Sequence, residues 1–97
     1  MITLRVYRQR GEVILAACDK ELMGRCFREG ILKLDVCSSF YEGEDASEEM
    51  LLNRLENATI ANLVGERTVS VATKHGLVDE GCVLRIEGVP HVQLVKM

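Results

Sequence analysis

ATIANLVGERTVSVATKHGLVDEGCVLRIEGVPH, residues 58–91, is the stretch that decides how this chain folds. Within residues 66–75, Val69 and Ala72 lie on one side of a helical projection with Val71 alongside, which predicts an amphipathic helix. Gly65 precedes this helix and Gly76 ends it. The apolar run at residues 59–64 predicts either a short strand or an extended link that leads into the helix.

A hairpin is predicted to follow the helix. Residues 82–86 favour a strand, Glu87 and Gly88 a turn, and residues 91–95 a final strand. Pro90 has no amide hydrogen, so we expect it at the start of that strand or at a sheet edge.

A second hairpin is predicted at the other end of the chain. Ile2, Leu4 and Val6 alternate with polar residues, which is the pattern of a half-buried strand. Gly11 can occupy a tight turn, and the apolar run that follows favours a covered strand. Residues 2–18 are therefore predicted to form a β-hairpin.

Two further helices and one strand are predicted between the first hairpin and residue 58. Asp19 is expected to cap a short helix over residues 20–27, and residues 32–37 alternate as a third strand. Asp45 with Glu48 fits a capping box for a helix that continues to about Asn57.

The predicted element order is β-β-α-β-α-(β)-α-β-β. Helices alternate with hairpins rather than with single parallel strands, which favours the α+β class with a mixed or mostly antiparallel sheet and about three helices. The 97 residues are 47% hydrophobic and 28% charged, a balance typical of one globular domain over residues 1–97. Aromatic residues make up only 4%, so the core must be aliphatic.

Three blocks of this sequence resemble an archaeal family known only as domain of unknown function four-two-four. The first block contains Val6-Tyr7-Arg8, Gly11-Glu12-Val13 and Ala16-Ala17-Cys18-Asp19; the second runs through residues 61–66; the third contains Arg85-Ile86, Gly88-Val89-Pro90-His91 and Gln93. The resemblance covers nearly the whole chain and implies an archaeal, cytosolic protein. It carries no catalytic assignment, so it transfers no catalytic residue.

Positive charge is concentrated at the start of the chain. Residues 1–33 carry seven Lys and Arg against four Asp and Glu, although the whole chain has a net charge of -3. Arginines beside a tyrosine are the composition of an RNA surface, with guanidinium groups for phosphates and the ring for bases. The nucleic-acid-binding candidates are Arg5, Tyr7, Arg8, Arg10, Arg25 and Arg28. The alternative is a solvated strand face without a ligand.

A second candidate site lies at the start of the 66–75 helix. Free amides and the helix dipole there could hold a phosphate or carboxylate, with Asn62, Gly65, Arg67 and His91 as the ligand-binding candidates. If Glu66 joined them in one pocket, the chain could be a small enzyme acting on an anionic metabolite. The alternative is a tight turn that simply starts a helix, and Glu66 would itself oppose an anion.

Neither a metal site nor a catalytic nucleophile is indicated. The four cysteines have no C-x-x-C spacing and lie in apolar runs, so we expect reduced, structural thiols with no lowered pKa, and no metal or cofactor. The chain shows no membrane-spanning run or signal peptide, so a cytoplasmic location is expected.

The leading hypothesis is a non-enzymatic binding module for RNA or an RNA–protein assembly, such as one involved in translation. An anionic-metabolite enzyme and a protein-interaction module that forms a homo-oligomer are the alternatives.

Overall fold

The computed structural model describes residues 1–96, which form eight strands and three α-helices. The strands are β1 (Ile2–Gln9), β2 (Glu12–Asp19), β3 (Cys26–Glu29), β4 (Leu32–Asp35), β5 (Glu44–Ala46), β6 (Ile60–Val64), β7 (Leu84–Ile86) and β8 (Val89–Val95). The helices are α1 (Ser38–Tyr41), α2 (Glu48–Asn57) and α3 (Glu66–Lys74).

Six strands form one mixed sheet in the order β5-β1-β2-β6-β8-β7. Only β2 and β6 pair in parallel, and every other neighbouring pair is antiparallel. Strands β3 and β4 form a separate two-stranded hairpin. The predicted α+β class with a mixed sheet and three helices is confirmed.

Both predicted terminal hairpins are present. Gln9 pairs with Glu12 across a two-residue turn in which Arg10 has φ 49° and Gly11 has φ 80°. Positive φ at both turn positions is typical of a type I′ turn, whose twist matches the flanking strands. The turn between β7 and β8 has the same property at residues 87 and 88.

The sheet has two differently covered faces. We call one the helix face, because α2 and α3 pack on it: Leu4, Leu15 and Leu63 of the sheet join Leu51 and Val69 of the helices in one buried cluster. The β3–β4 hairpin and α1 pack on the other face, which we call the hairpin face. Here Cys18 and Val64 of the sheet join residues such as Phe27, Val36 and Tyr41 in a second cluster.

The helix predicted over residues 20–27 is wrong. A short 3₁₀ turn covers Lys20–Leu22, after which Gly24 adopts φ 86° and the chain turns away from a helical path. The Val36 amide then donates to the Arg25 carbonyl, and residues 26–29 pair with β4 as a strand. Pairing with β4 across a tight turn determined this segment, since its short apolar run fits both the helical and the strand period.

The expected cap of the middle helix is also corrected. Asp45 lies in β5 and its carboxylate pairs with Lys20 at 2.8 Å. Ser47 is the N-cap of α2, and its Oγ accepts a hydrogen bond from the Met50 amide at 3.1 Å. Ser is as good a cap residue as Asp, and only Ser47 lies immediately before the first helical turn.

The second half of the chain follows the predicted order with shorter elements. Residues 60–64 are a strand rather than a link, and they form the parallel partner of β2. The strand predicted from residue 82 begins only at Leu84, because Glu80–Cys82 forms a 3₁₀ turn. Pro90 is the second residue of β8, near its start as expected, and its carbonyl accepts from the Gly65 amide at 2.9 Å.

Candidate functional site

Asp19 occupies the N-terminus of α3. Its Oδ1 accepts hydrogen bonds from the Thr68 amide and the Thr68 hydroxyl, both at 2.9 Å, and its Oδ2 accepts from the Arg67 amide at 3.1 Å. Asp19 is only 4% exposed. The protein's own carboxylate therefore holds the position where an anionic ligand was predicted.

Gly65 makes this contact possible. Its φ of 104° belongs to a region that side chains rarely adopt, and a Cβ there would lie 2.6 Å from Oδ1 of Asp19. Glu66, the next residue, forms a salt bridge with Arg85 at 2.6 Å. Sequence reasoning missed Asp19 because its partners lie 48 and 49 residues further along the chain.

The four anion-site candidates do not converge. Asn62 and His91 both lie on the hairpin face, since Asn62 is opposite Gln93 and His91 is opposite Val64 in the β6–β8 register. Diagonal neighbours of this kind are about 7–8 Å apart. Arg67, by contrast, lies in the first turn of α3, the helix that packs on the helix face.

The first hairpin holds Arg5 and Tyr7 on one face, as predicted. The Arg5 guanidinium is 4.8 Å from the centroid of the Tyr7 ring, which also stacks on Phe40 at 5.2 Å. The Tyr7 hydroxyl donates to the Phe40 carbonyl at 2.6 Å. The Tyr7 ring, which was expected to stack on an RNA base, is therefore already packed against Phe40. The same ring positions Arg5 through the cation–π contact.

The other candidate arginines are dispersed over the molecule. Arg8 projects to the helix face, because side chains alternate along β1, and Arg10 lies in the turn. Arg25 directly precedes β3 and Arg28 lies within it, and the β3–β4 hairpin packs near β7, the strand at one edge of the sheet. Four strand spacings separate β1 from β7, about 19 Å. The six nucleic-acid candidates therefore do not form one patch.

Part of the hairpin face is left partly open. Arg5, Asn62 and Gln93 lie in one cross-strand row, with buried Ala16 between the first two, and His91 is diagonal to Asn62. A neighbouring row contains Ile14, Ile60 and Val95. Apart from the buried Ala16, these seven residues are half-buried or exposed. We call the seven residues the open sheet patch.

Burial lowers the pKa of His91 below its ordinary value. At neutral pH the ring is therefore uncharged, with one nitrogen that donates and one that accepts a hydrogen bond. Its cross-strand neighbours, Val64 and Leu84, are apolar.

Comparison with known proteins identifies the family. The sequence profile of a family described as protein of unknown function, DUF424, matches residues 7–97. This chain belongs to the DUF424 family. The resemblance inferred from the three sequence blocks is thus confirmed.

The DUF424 domain also resembles a solved structure. An uncharacterized conserved protein from Methanopyrus kandleri superimposes with a TM-score of 0.81 at 25% sequence identity, over 99% of this chain and 93% of that one. This neighbour suggests an archaeal origin. No functionally curated protein matches the chain.

Two further features of the DUF424 domain concern metal binding and membranes. Within residues 1–96, no three His, Cys, Asp or Glu side chains are grouped so that they could hold a metal ion. Across the same residues, the helices are too short or too polar to span a bilayer.

The thiols of the DUF424 domain differ more than the sequence indicated. Cys18 is fully buried, and its desolvation raises its pKa to about 12. All four thiols are free, but the expectation that they pack among apolar neighbours is wrong for Cys26, Cys37 and Cys82, which are exposed. A hydrogen bond from the Ser39 hydroxyl, 2.9 Å from Sγ, lowers the pKa of Cys37.

These differences predict the order of alkylation by iodoacetamide. Cys37 is expected to react first because its thiolate is favoured, and Ser39→Ala should slow it towards the rate of Cys26. Cys18 should react roughly 100-fold more slowly than the exposed thiols until the domain unfolds. Peptide mass spectrometry of timed samples measures each rate. Native-state labelling of Cys18 at the rate of Cys82 would contradict the buried position.

Proposed function

We propose that this DUF424 domain is a non-enzymatic binding module that contacts single-stranded RNA, free or within an RNA–protein assembly, through the open sheet patch. The observation that carries the proposal is the juxtaposition of Arg5, Asn62, Gln93 and His91 on one partly open sheet face. In the sequence, Arg5 was a nucleic-acid-binding candidate, whereas Asn62 and His91 were anion-binding candidates. Here the three residues belong to one surface.

The chemistry of the patch suits unpaired bases beside a phosphate. Amide side chains such as Asn62 and Gln93 offer donors and acceptors that match base edges. Arg5 can contact a phosphate, and it forms no ion pair with an acidic side chain of residues 1–96. The apolar row beside them supplies surface on which a base can lie.

The arrangement supports binding better than catalysis. A general base needs a partner that orients its ring and a substrate within hydrogen-bond reach. The cross-strand neighbours of His91 are apolar, and Glu66 is paired with Arg85 instead of facing His91. The metabolite enzyme is therefore the weaker proposal.

A cytoplasmic location forms part of the same proposal. Three exposed, unpaired cysteines suit a reducing compartment, where such thiols persist.

Titration of the domain with fluorescent RNA tests the proposal. Unstructured RNAs of roughly 12 nucleotides should bind, with affinity that falls as salt rises. The triple variant Arg5→Ala/Asn62→Ala/Gln93→Ala should bind at least about tenfold more weakly. The matched control, Arg25→Ala/Arg28→Ala, removes more charge near β7, away from Arg5, and should stay within about threefold of the wild type.

The same titration can also contradict the proposal. No binding at low salt, binding that does not depend on salt, or a larger loss in the control than in the triple variant would each exclude the open sheet patch as an RNA surface. Thermal melts of every variant check that the domain remains folded.

A further inference from the structure

The outer edge of β1 is paired along only part of its length. β5 pairs with residues 2–4 and then leaves the edge. Gln9 and Glu12 flank a two-residue turn and so form a hydrogen-bonded pair, which means that Val6 and Arg8 direct their N–H and C=O groups away from β2. Nothing in residues 1–96 makes a hydrogen bond to these four groups.

The same alternation is visible on the other side of the hairpin. The Val13 amide donates to Thr59 Oγ1 at 2.9 Å, and the Val13 carbonyl accepts from the Thr59 amide at 2.8 Å. Odd-numbered residues of β2 thus face β6, so their even-numbered neighbours face β1. This phase requires Val6 and Arg8 to face outward.

A groove of about 920 Å³ runs along this free edge. One wall is β1 from Leu4 to Arg8, and the other includes Asn53, Arg54 and Asn57 at the end of α2. Extended chains add to sheets by completing such edges, and side-chain pockets then give specificity.

Charge along the groove is uneven. Arg8, near the β1–β2 turn, and Arg54 both line the groove, and no acidic side chain in the described chain pairs with either. Glu42 and Glu44 lie at the end where β5 begins. The residue of an added strand that lies opposite Arg8 would therefore face positive charge. The residue opposite Val6, two positions nearer to β5, would face a half-buried, apolar side chain.

We propose that the free edge of β1 binds an extended peptide from a partner protein, with an acidic side chain opposite Arg8 and an apolar side chain opposite Val6. The peptide runs antiparallel to β1, as β5 does, so the acidic residue comes two positions before the apolar one. Both side chains point into the groove, because residues opposite each other in a sheet share a face. Arg5 borders both surfaces, but the side chains of Val6 and Arg8 lie on the face of β1 opposite to that of Arg5, so neither proposal depends on the other.

The probe is a short capped peptide with Glu two positions before Val and Thr elsewhere. Its addition to isotopically labelled protein should shift the amide resonances of residues 5–9 and of the end of α2. Exchange of Glu for Lys in the peptide, or Arg54→Ala in the protein, should weaken binding at least about fivefold. Arg28→Ala is the matched control for loss of an arginine and should have no effect.

Backbone methylation separates strand addition from simple charge attraction. Methylation of the peptide nitrogen of Glu or Val removes a donor that faces β1 and should abolish binding. Methylation of the intervening Thr nitrogen, which faces away, should change affinity by less than about twofold. Arg8→Pro removes the amide hydrogen of residue 8, which is the matching donor of the protein, and should also abolish binding. If this variant does not fold, the methylated peptides test the same hydrogen bonds on the wild-type chain.

Three outcomes overturn the proposal. The first is no binding at about 1 mM peptide. The second is equal loss of affinity from all three methylations. The third is a homodimer in analytical ultracentrifugation that Arg8→Pro converts to monomer, since a second copy would then be the occupant of the edge.

Discussion

Replacing Gly65 by Ala is expected to lower the free energy of unfolding by about 3 kcal/mol. A φ of 104° with ψ 155° is a conformation that essentially only glycine adopts, and a side chain there costs roughly 1–3 kcal/mol. The new Cβ would also collide with the Asp19 carboxylate, which is held by the Thr68 amide, the Thr68 hydroxyl and the Arg67 amide. Relief of the collision breaks charge-assisted hydrogen bonds in a buried place.

Asp19→Ala provides the control for this interpretation. Alone it should cost about 2–4 kcal/mol, because it leaves buried donors at the start of α3 without an acceptor. In the double variant Asp19→Ala/Gly65→Ala the collision has already been removed, and only the backbone strain at position 65 remains. The two losses should therefore sum to more than the loss in the double variant by at least about 1 kcal/mol, as measured by urea unfolding of all four proteins. Strict additivity would show that Asp19 and Gly65 do not interact.

Leu63→Ala is expected to cost about 3 kcal/mol, within the usual range for a fully buried leucine. Leu63 is 0% exposed and lies on the helix face of β6, in the central cluster beneath α2 and α3. Its neighbour Asn62 points to the opposite face and is half-buried in the open sheet patch. Asn62→Ala should change stability by less than about 1 kcal/mol.

The pair tests the orientation of the central strand. Since a shift of one residue exchanges the two faces of a strand, similar losses in the two variants would contradict the assigned register. Chemical unfolding of both variants with unchanged m-values is the required measurement. A small loss of stability in Asn62→Ala would also show that this substitution can be used in the RNA titration without unfolding the domain.

The terminal hairpins were predictable because their signals are local. Alternation of Ile2, Leu4 and Val6 identifies one buried side of β1, and glycines at positions 11 and 88 allow the positive φ that each turn needs. The third helix was equally clear, since Gly65 and Gly76 bracket an apolar stripe. In these segments the nearest neighbours along the chain determine the conformation.

Residues 20–29 show where local signals fail. Leu22, Met23, Cys26 and Phe27 recur at helical spacing, yet Phe27 lies in a strand and packs into the hairpin-face cluster. The segment is too short for its period to be decisive, and pairing with residues 32–36 supplies backbone partners that a helix would otherwise provide.

The candidate sites were only partly predictable for the same reason. The sequence indicated that Arg5 and Tyr7 share a face, which follows from alternation alone. It did not indicate that Phe40 covers the Tyr7 ring, that Asp19 fills the start of α3, or that Asn62 lies in a row with Arg5. Each of these arrangements involves residues more than 30 positions apart.

The amino-acid order by itself determined which segments alternate, where the chain must turn, and that an aliphatic core with an α+β arrangement would form, because propensity and periodicity act over a few residues. Only the tertiary structure decided strand order, the carboxylate at the start of α3 and the unpaired edge of β1. Those features depend on which distant segments meet, and that choice is made by burial and hydrogen bonding of the whole chain at once.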